Sequence, residues 1–116
     1  ILMSQEAYSK FSPELASAGT LLTEEDLVVT RNLRKDIFHY SIPATRFAEE
    51  LGKRLVLNVV MLGFTAAITN VVAADALRNA VKVSVPKGTE ELNLAAFNKG
   101  FEYGLQLLKK QPVPVA

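Results

Sequence analysis

Few side chains in this 116-residue chain could do chemistry, and their spacing limits what that chemistry could be. Histidine occurs once, at His39, and cysteine is absent. A histidine base needs a nucleophile and an orienting acid beside it. Ser41 lies two positions along, on the same face of any strand through this stretch, but no nucleophile elbow surrounds it. With no thiolate and no second imidazole, His39 also lacks the partners of a metal site. The carboxylate pairs Glu24–Glu25, Glu49–Glu50 and Glu90–Glu91 sit beside turns or on polar helix faces, where ionised groups stay solvated. Better candidates are Ser4 and Gln5, which follow the first apolar run, because open α/β sheets bind ligands beyond the carboxyl ends of their strands. Ser4 could equally serve as a plain N-cap. Thr45 and Asn58, as possible polar contacts beside the Pro43 turn, complete a candidate cofactor-contacting set of Ser4, Gln5, Thr45 and Asn58. No catalytic residue and no metal ligand is assigned.

Composition excludes several partners. Thirteen basic and twelve acidic side chains leave a net charge of +1. That gives no basic stripe for nucleic acid and no polybasic anchor for a lipid surface. A chain without cysteine carries no disulfide framework and no iron–sulfur cluster of its own, and it fits the cytoplasm. Hydrophobic residues at 49% and charged residues at 22% describe one ordinary globular domain.

The elements that must position these side chains alternate at first. ILM at 1–3 reads as the exit of a strand, with Ser4 capping a helix through QEAYSKF. Ser12–Pro13 interrupts that helix. GTLLT at 19–23 reads as a strand, LVV at 27–29 as either strand or loop, and DIFHYSI at 36–42 as the clearest strand. Its Phe38, Tyr40 and Ile42 share one face, and Ile37, His39 and Ser41 the other. Helices follow through ATRFAEEL, RLVLNVVMLGFTAAITN, VAADALRNAVKVSV and EELNLAAFNKGFEYGLQLLKK, and QPVPVA closes the chain as an extended tail. In the last helix Leu94, Phe97, Phe101, Leu105 and Leu108 form the apolar stripe. The pattern predicts an α/β layer with a mainly parallel sheet and a helical C-terminal half. Residues 1–110 form one domain and 111–116 its tail.

No charged residue falls between Arg54 and Asp75. A membrane span of that length would have to include Asn58, Thr65, Thr69 and Asn70 and would lack anchors, so the helix belongs to a core or to a subunit interface. Gly63 and the Ala66–Ala67 pair would admit a neighbouring backbone. Asn58 inside it reads as a buried amide, bonded either to a loop or to a ligand or partner subunit. Gly100 and Gly104, flanked by charges, read as close packing between soluble helices.

IPATRFAEELGKR, LNVVMLGFTAAIT and SVPKGTEELNLAAFNKGFEYG resemble the gamma subunit of the 2-oxoacid:ferredoxin oxidoreductases, with MSQEAY and GTLLTEEDLV in the same order. The P-A-T, N-x-V-M-L-G and E-E-L-N-x-x-A-F groups carry the likeness over residues 1–105, and the wording is most like the 2-oxoglutarate branch. The resemblance implies a three-layer α/β/α Rossmann-like domain that packs on thiamine-diphosphate-carrying subunits. It implies alpha, beta and delta partner subunits, with thiamine diphosphate, iron–sulfur clusters and coenzyme A in the whole complex and ferredoxin as acceptor. The family's gamma subunit opens with a strand and a GxGGQG-like turn, absent here, so about the first third of that domain is missing, and with it the obvious phosphate cradle. Where the family offers a capping serine, this chain has Ala73–Ala74. Two other readings stand beside this one: a Rossmann-like nucleotide- or coenzyme-A-binding module, and a structural oligomerisation domain. An uncovered sheet edge predicts self-association, as a homo-oligomer, of the isolated chain. A buried 55–68 helix predicts that Leu62→Asp unfolds the protein, which thermal melting checks.

Overall fold

A computed structural model describes residues 1–31 and 33–110; the tail expected at 111–116 lies outside the described residues. Two short strands, β1 (Thr20–Glu24) and β2 (Phe38–Ile42), pair in parallel with Thr20 opposite Phe38 and Glu24 opposite Ile42. Leu2 extends the sheet by one residue. It forms a parallel bridge to Thr23, donating its N–H to Leu22 O at 2.8 Å and accepting from the Glu24 N–H at 3.3 Å. The expected ILM strand is therefore a single bridge. LVV is loop rather than strand, and it turns Val28 inward against Tyr8 and Leu21.

The helices begin and end where local chemistry directs. In α1 (Gln5–Phe11) the Ser4 hydroxyl accepts the Ala7 N–H at 3.1 Å, and Ser12–Glu14 continues as one 3-10 turn that begins with Ser-Pro. Pro43 precedes α2 (Ala44–Glu50), and Gly52, at φ +92°, lets the chain leave it. A 3-10 turn at Arg54–Val56 leads into α3 (Leu57–Thr69), which Asn70 ends in the left-handed conformation. Ala73 gives α4 (Ala74–Ser84) no side-chain cap, as the absent serine implied. The acidic Glu90 and Glu91 open α5 (Glu90–Lys110), and Lys109 and Lys110 close it, matching the helix dipole at both ends.

Alternation along the strands divides the interior. Leu22, Tyr40 and Ile42 join Ala44, Val60 and Phe64 in the main core, with Phe38 packed against it. Leu21, Tyr8 and Val28 form a second core with Ile37 on the other face, under α1. A third gathers Ala66, Val81 and Phe97 where α4 leans on α3 and α5. There Arg78 lies over the stacked rings of Phe97 and Phe101 while bonding Asp75 and Asn98.

Close backbone approach joins α3 to α5. A Cβ on Gly63 would stand 2.0 Å from the Phe97 carbonyl oxygen, and one on Gly100 would stand 2.0 Å from that of Val60. Gly104 would meet Ala67 Cβ at 2.6 Å. Of the expected stripe on α5, Phe97 is buried and Leu94, Phe101 and Leu108 pack partly buried against the cores, but Leu105 departs from it. The buried line runs through Asn93, Ala96, Phe97, Gly100 and Gly104, and Leu105 is 41% exposed. Small residues win the seam because only they let two backbones touch.

The same contact sets the roll of α3 and corrects two further expectations. Val60, Gly63, Phe64 and Ala67 face inward, so Leu62 is 36% exposed and Asn58 is exposed rather than a buried amide. The uncharged run is thus core on one side and an outward strip of Leu55, Asn58 and Leu62 on the other. No helix among the described residues is long and apolar enough to cross a membrane.

Gly100→Ala should cost about 3 kcal/mol, because both helices must separate to admit the methyl. Gly88→Ala, at φ +94° with open space around it, should cost about 1–2 kcal/mol of backbone strain alone. Leu62→Asp should melt close to the unsubstituted protein, whereas Phe64→Asp should not fold. Urea unfolding midpoints test the ranking, and a Gly100→Ala midpoint above that of Gly88→Ala would overturn the seam.

Candidate functional site

The carboxyl ends of Leu2, β1 and β2 meet at one edge of the sheet, where α1 and α2 begin. Glu24 is the centre of that edge. Its side chain is 0% exposed, which corrects its reading as a solvated charge. One carboxylate oxygen, Oε2, accepts the Thr45 N–H at 2.7 Å; the other, Oε1, accepts the N–H groups of Asp26 and Leu27. Its own N–H goes to Leu2 O and its carbonyl accepts the Val28 N–H at 3.1 Å. A buried carboxylate survives here because backbone donors replace water at both its oxygens. Glu25 stays outside as expected of the pair, donating its backbone N–H to Ile42 O at 2.8 Å. Arg46 on α2 then pairs with Asp26 at 2.6 Å and Glu25 at 3.3 Å. The Arg46 hydrogen bond holds the Asp26 carboxyl below the usual range, and Asp26 in turn raises the guanidinium.

The four expected contact residues divide. Ser4 caps α1, and Gln5 uses its amide twice on Val29, accepting the N–H at 2.6 Å and donating to the carbonyl at 3.1 Å. Thr45 gives its N–H to Glu24, while its buried Oγ1 has no hydrogen-bond partner among the described residues. These three gather around the carboxyl edge. Asn58 sits apart from them, on the outward strip of α3.

His39 faces away from the main core. Its Nε2 is 2.9 Å from Thr23 Oγ1, and burial pushes its pKa down. Thr23 is buried at 1% exposure, so this hydroxyl cannot meet a substrate, and the pair ties β2 to β1. Among the described residues no group of three or more His, Cys, Asp or Glu could hold a metal ion.

Beside this edge runs a groove of about 630 Å³ between α1 and the residues leading into β2. Arg34 forms one wall. Its guanidinium bonds Asp36 at 2.7 Å and reaches the Ser12 and Leu15 carbonyls, and with Ser17 it lowers the Asp36 carboxyl to about 2. Sequence reasoning missed both Glu24 and this groove. The signal for Glu24 was its place as the last strand residue before a tight turn whose N–H groups need an acceptor. The groove had no local signal, since it joins residues more than twenty positions apart.

Parallel strands joined by crossovers, with their carboxyl edge tied to the starts of two helices, define a small α/β domain. Residues 1–103 match the pyruvate ferredoxin/flavodoxin oxidoreductase family, and the chain belongs to it. It is 43% identical over 109 residues to the 2-oxoglutarate synthase subunit KorC of Methanocaldococcus jannaschii, covering 92% of this chain and 58% of that protein. The KorC subunit of Methanothermobacter marburgensis is 38% identical over 108 residues, again 58% of its length. The chain thus spans less than two thirds of the length of these relatives. Among solved structures, the gamma subunit of a keto/oxoacid ferredoxin oxidoreductase from Geobacter sulfurreducens superposes with a TM-score of 0.83 at 36% identity, over 90% of this chain and 62% of that one. A 2-oxoglutarate:ferredoxin oxidoreductase from Magnetococcus marinus, with 2-oxoglutarate, coenzyme A and succinyl-CoA bound, shares the fold at a TM-score of 0.81 and 22% identity, over 98% of this chain and 21% of that one.

Glu24→Gln should destabilise by about 2–3 kcal/mol, because the new amide group points a donor at backbone donors. His39 adds a pH dependence whose sign follows from its lowered pKa. The folded state favours the neutral ring, so His39's contribution is fully present above the unfolded value near 6.5 and falls as pH drops below it. His39→Gln should flatten the dependence of the urea midpoint between about pH 5 and 7. An unchanged slope would remove His39 from the account.

Proposed function

We propose that the protein works as the gamma subunit, or the part of it spanned here, of a 2-oxoglutarate:ferredoxin oxidoreductase. The 43% identity to a 2-oxoglutarate synthase subunit carries this reading. The reaction is the coenzyme-A-dependent oxidative decarboxylation of 2-oxoglutarate, in the cytoplasm, with ferredoxin taking the electrons. Thiamine diphosphate and the iron–sulfur clusters belong to the alpha, beta and delta partner subunits, because this chain has no cysteine and no group able to stabilise the carbanion. Coenzyme A, bound in the Magnetococcus marinus enzyme, is the substrate nearest in chemistry to an α/β edge of this type. Residues 1–110 act as one unit, a part of the full three-layer Rossmann-like domain.

Within that unit the outward strip of α3 and of the 3-10 turn before it is the docking face for a partner subunit. Leu55 is almost wholly exposed, Leu62 and Asn58 follow on the same side, and no charge interrupts them. Asn58 there contacts the partner rather than a cofactor, while Ser4, Gln5 and Thr45 support the edge that faces the ligand.

The isolated chain should reduce no viologen when given 2-oxoglutarate, coenzyme A and thiamine diphosphate, and it should sediment as a self-associated species. Co-expression of the full-length gamma chain with the partner subunits should give turnover that depends on all three compounds. Asn58→Arg should lower recovery of the assembled complex at least about tenfold with the melting temperature of the chain unchanged, the cost of placing a charge in an interface. Activity of the chain alone, or normal assembly of the variant, would overturn the corresponding part.

A further inference from the structure

We infer that the groove between α1 and the residues leading into β2 is a binding site for a small organic anion, a phosphate or carboxylate carried on an apolar body. Its volume of about 630 Å³ lies within the range of small-molecule sites, about 300–1,000 Å³. The lining is one-sided in charge. Tyr8, Ser9, Ser12 and Arg31 bring hydroxyl and guanidinium donors to it, and no carboxylate lines it. Arg34 is already committed to Asp36 and to two carbonyls, whereas Arg31 makes no ion pair among the described residues. Val29 and Leu33 supply apolar surface beside these donors.

The walls are also held before any ligand arrives. Gln5 pins α1 to Val29 through two hydrogen bonds, and Arg34 pins the end of α1 to the approach to β2. A groove that is fixed at both ends binds without first ordering itself. Guanidinium charge without a lining carboxylate, around an apolar floor, selects an anion with a flat or aliphatic body, and Arg31 is the group that supplies the charge.

Titration of the full chain with phenyl phosphate, benzoate and phenol, followed by amide chemical shifts, tests this directly. At least one anion should saturate with shifts centred on Ser9, Ser12 and Leu33, and bind at least about tenfold more tightly than phenol. Phenyl phosphate ahead of benzoate would assign a phosphate ligand, and the reverse order a carboxylate. Arg31→Gln, a change at an exposed position, should weaken the anion at least about tenfold, while Lys82→Gln on α4 should leave it unchanged. No saturation, equal affinity for phenol, shifts outside the groove, or binding retained in Arg31→Gln would each overturn the site. None of these readings depends on the partner subunits, so the site can fail while the proposed function stands.

Discussion

The contact between α3 and α5 is the constraint on which the other elements depend. Two carbonyl oxygens, of Val60 and Phe97, lie 2.0 Å from where Cβ atoms on Gly100 and Gly63 would stand. At that distance neither helix can rotate or slide without collision, so every neighbour takes its position from theirs. Tyr40 and Ile42 of β2 share the core with Val60 and Phe64 of α3, and α4 leans on the seam through Val81. Tyr103, one position before Gly104, reaches Phe47 on α2 at 5.4 Å and Phe64 at 6.0 Å.

Glu24 performs at the carboxyl edge what the glycines perform in the seam. One side chain accepts hydrogen bonds from the turn after β1 and from the start of α2, joining two segments twenty residues apart. Gln5 and Arg34 make comparable clamps to backbone nearby. All three are polar side chains used in place of longer strands. This explains how two five-residue strands and a single bridge hold a defined edge.

Element types were legible because caps, breakers and periodicity agree along most of the chain. Ser4, Ser12–Pro13, Pro43 and Gly52 mark their boundaries, and α1 and α5 fall where the pattern places them. The three-residue ILM run lacked the length to show that only Leu2 pairs. Helix faces were harder. The small residues Gly63, Gly100 and Gly104 did point to the close seam, whereas the stripe of large residues on α5 also included Leu105, which stays exposed. Asn58 and Leu62 were misplaced because an uncharged helix gives no polar face from which to read its roll. Glu24 and the groove depend on partners distant in sequence, which no local pattern encodes.

The seam also bears on how the chain is made. Ribosomes deliver α3 before α5, the helix that carries Gly100 and Gly104. Until those residues emerge, Val60, Phe64 and Ala67 have no helix to lie against, and exposed apolar surface of this kind invites aggregation or chaperone capture. Packing of the α3 face therefore waits for α5 to follow it.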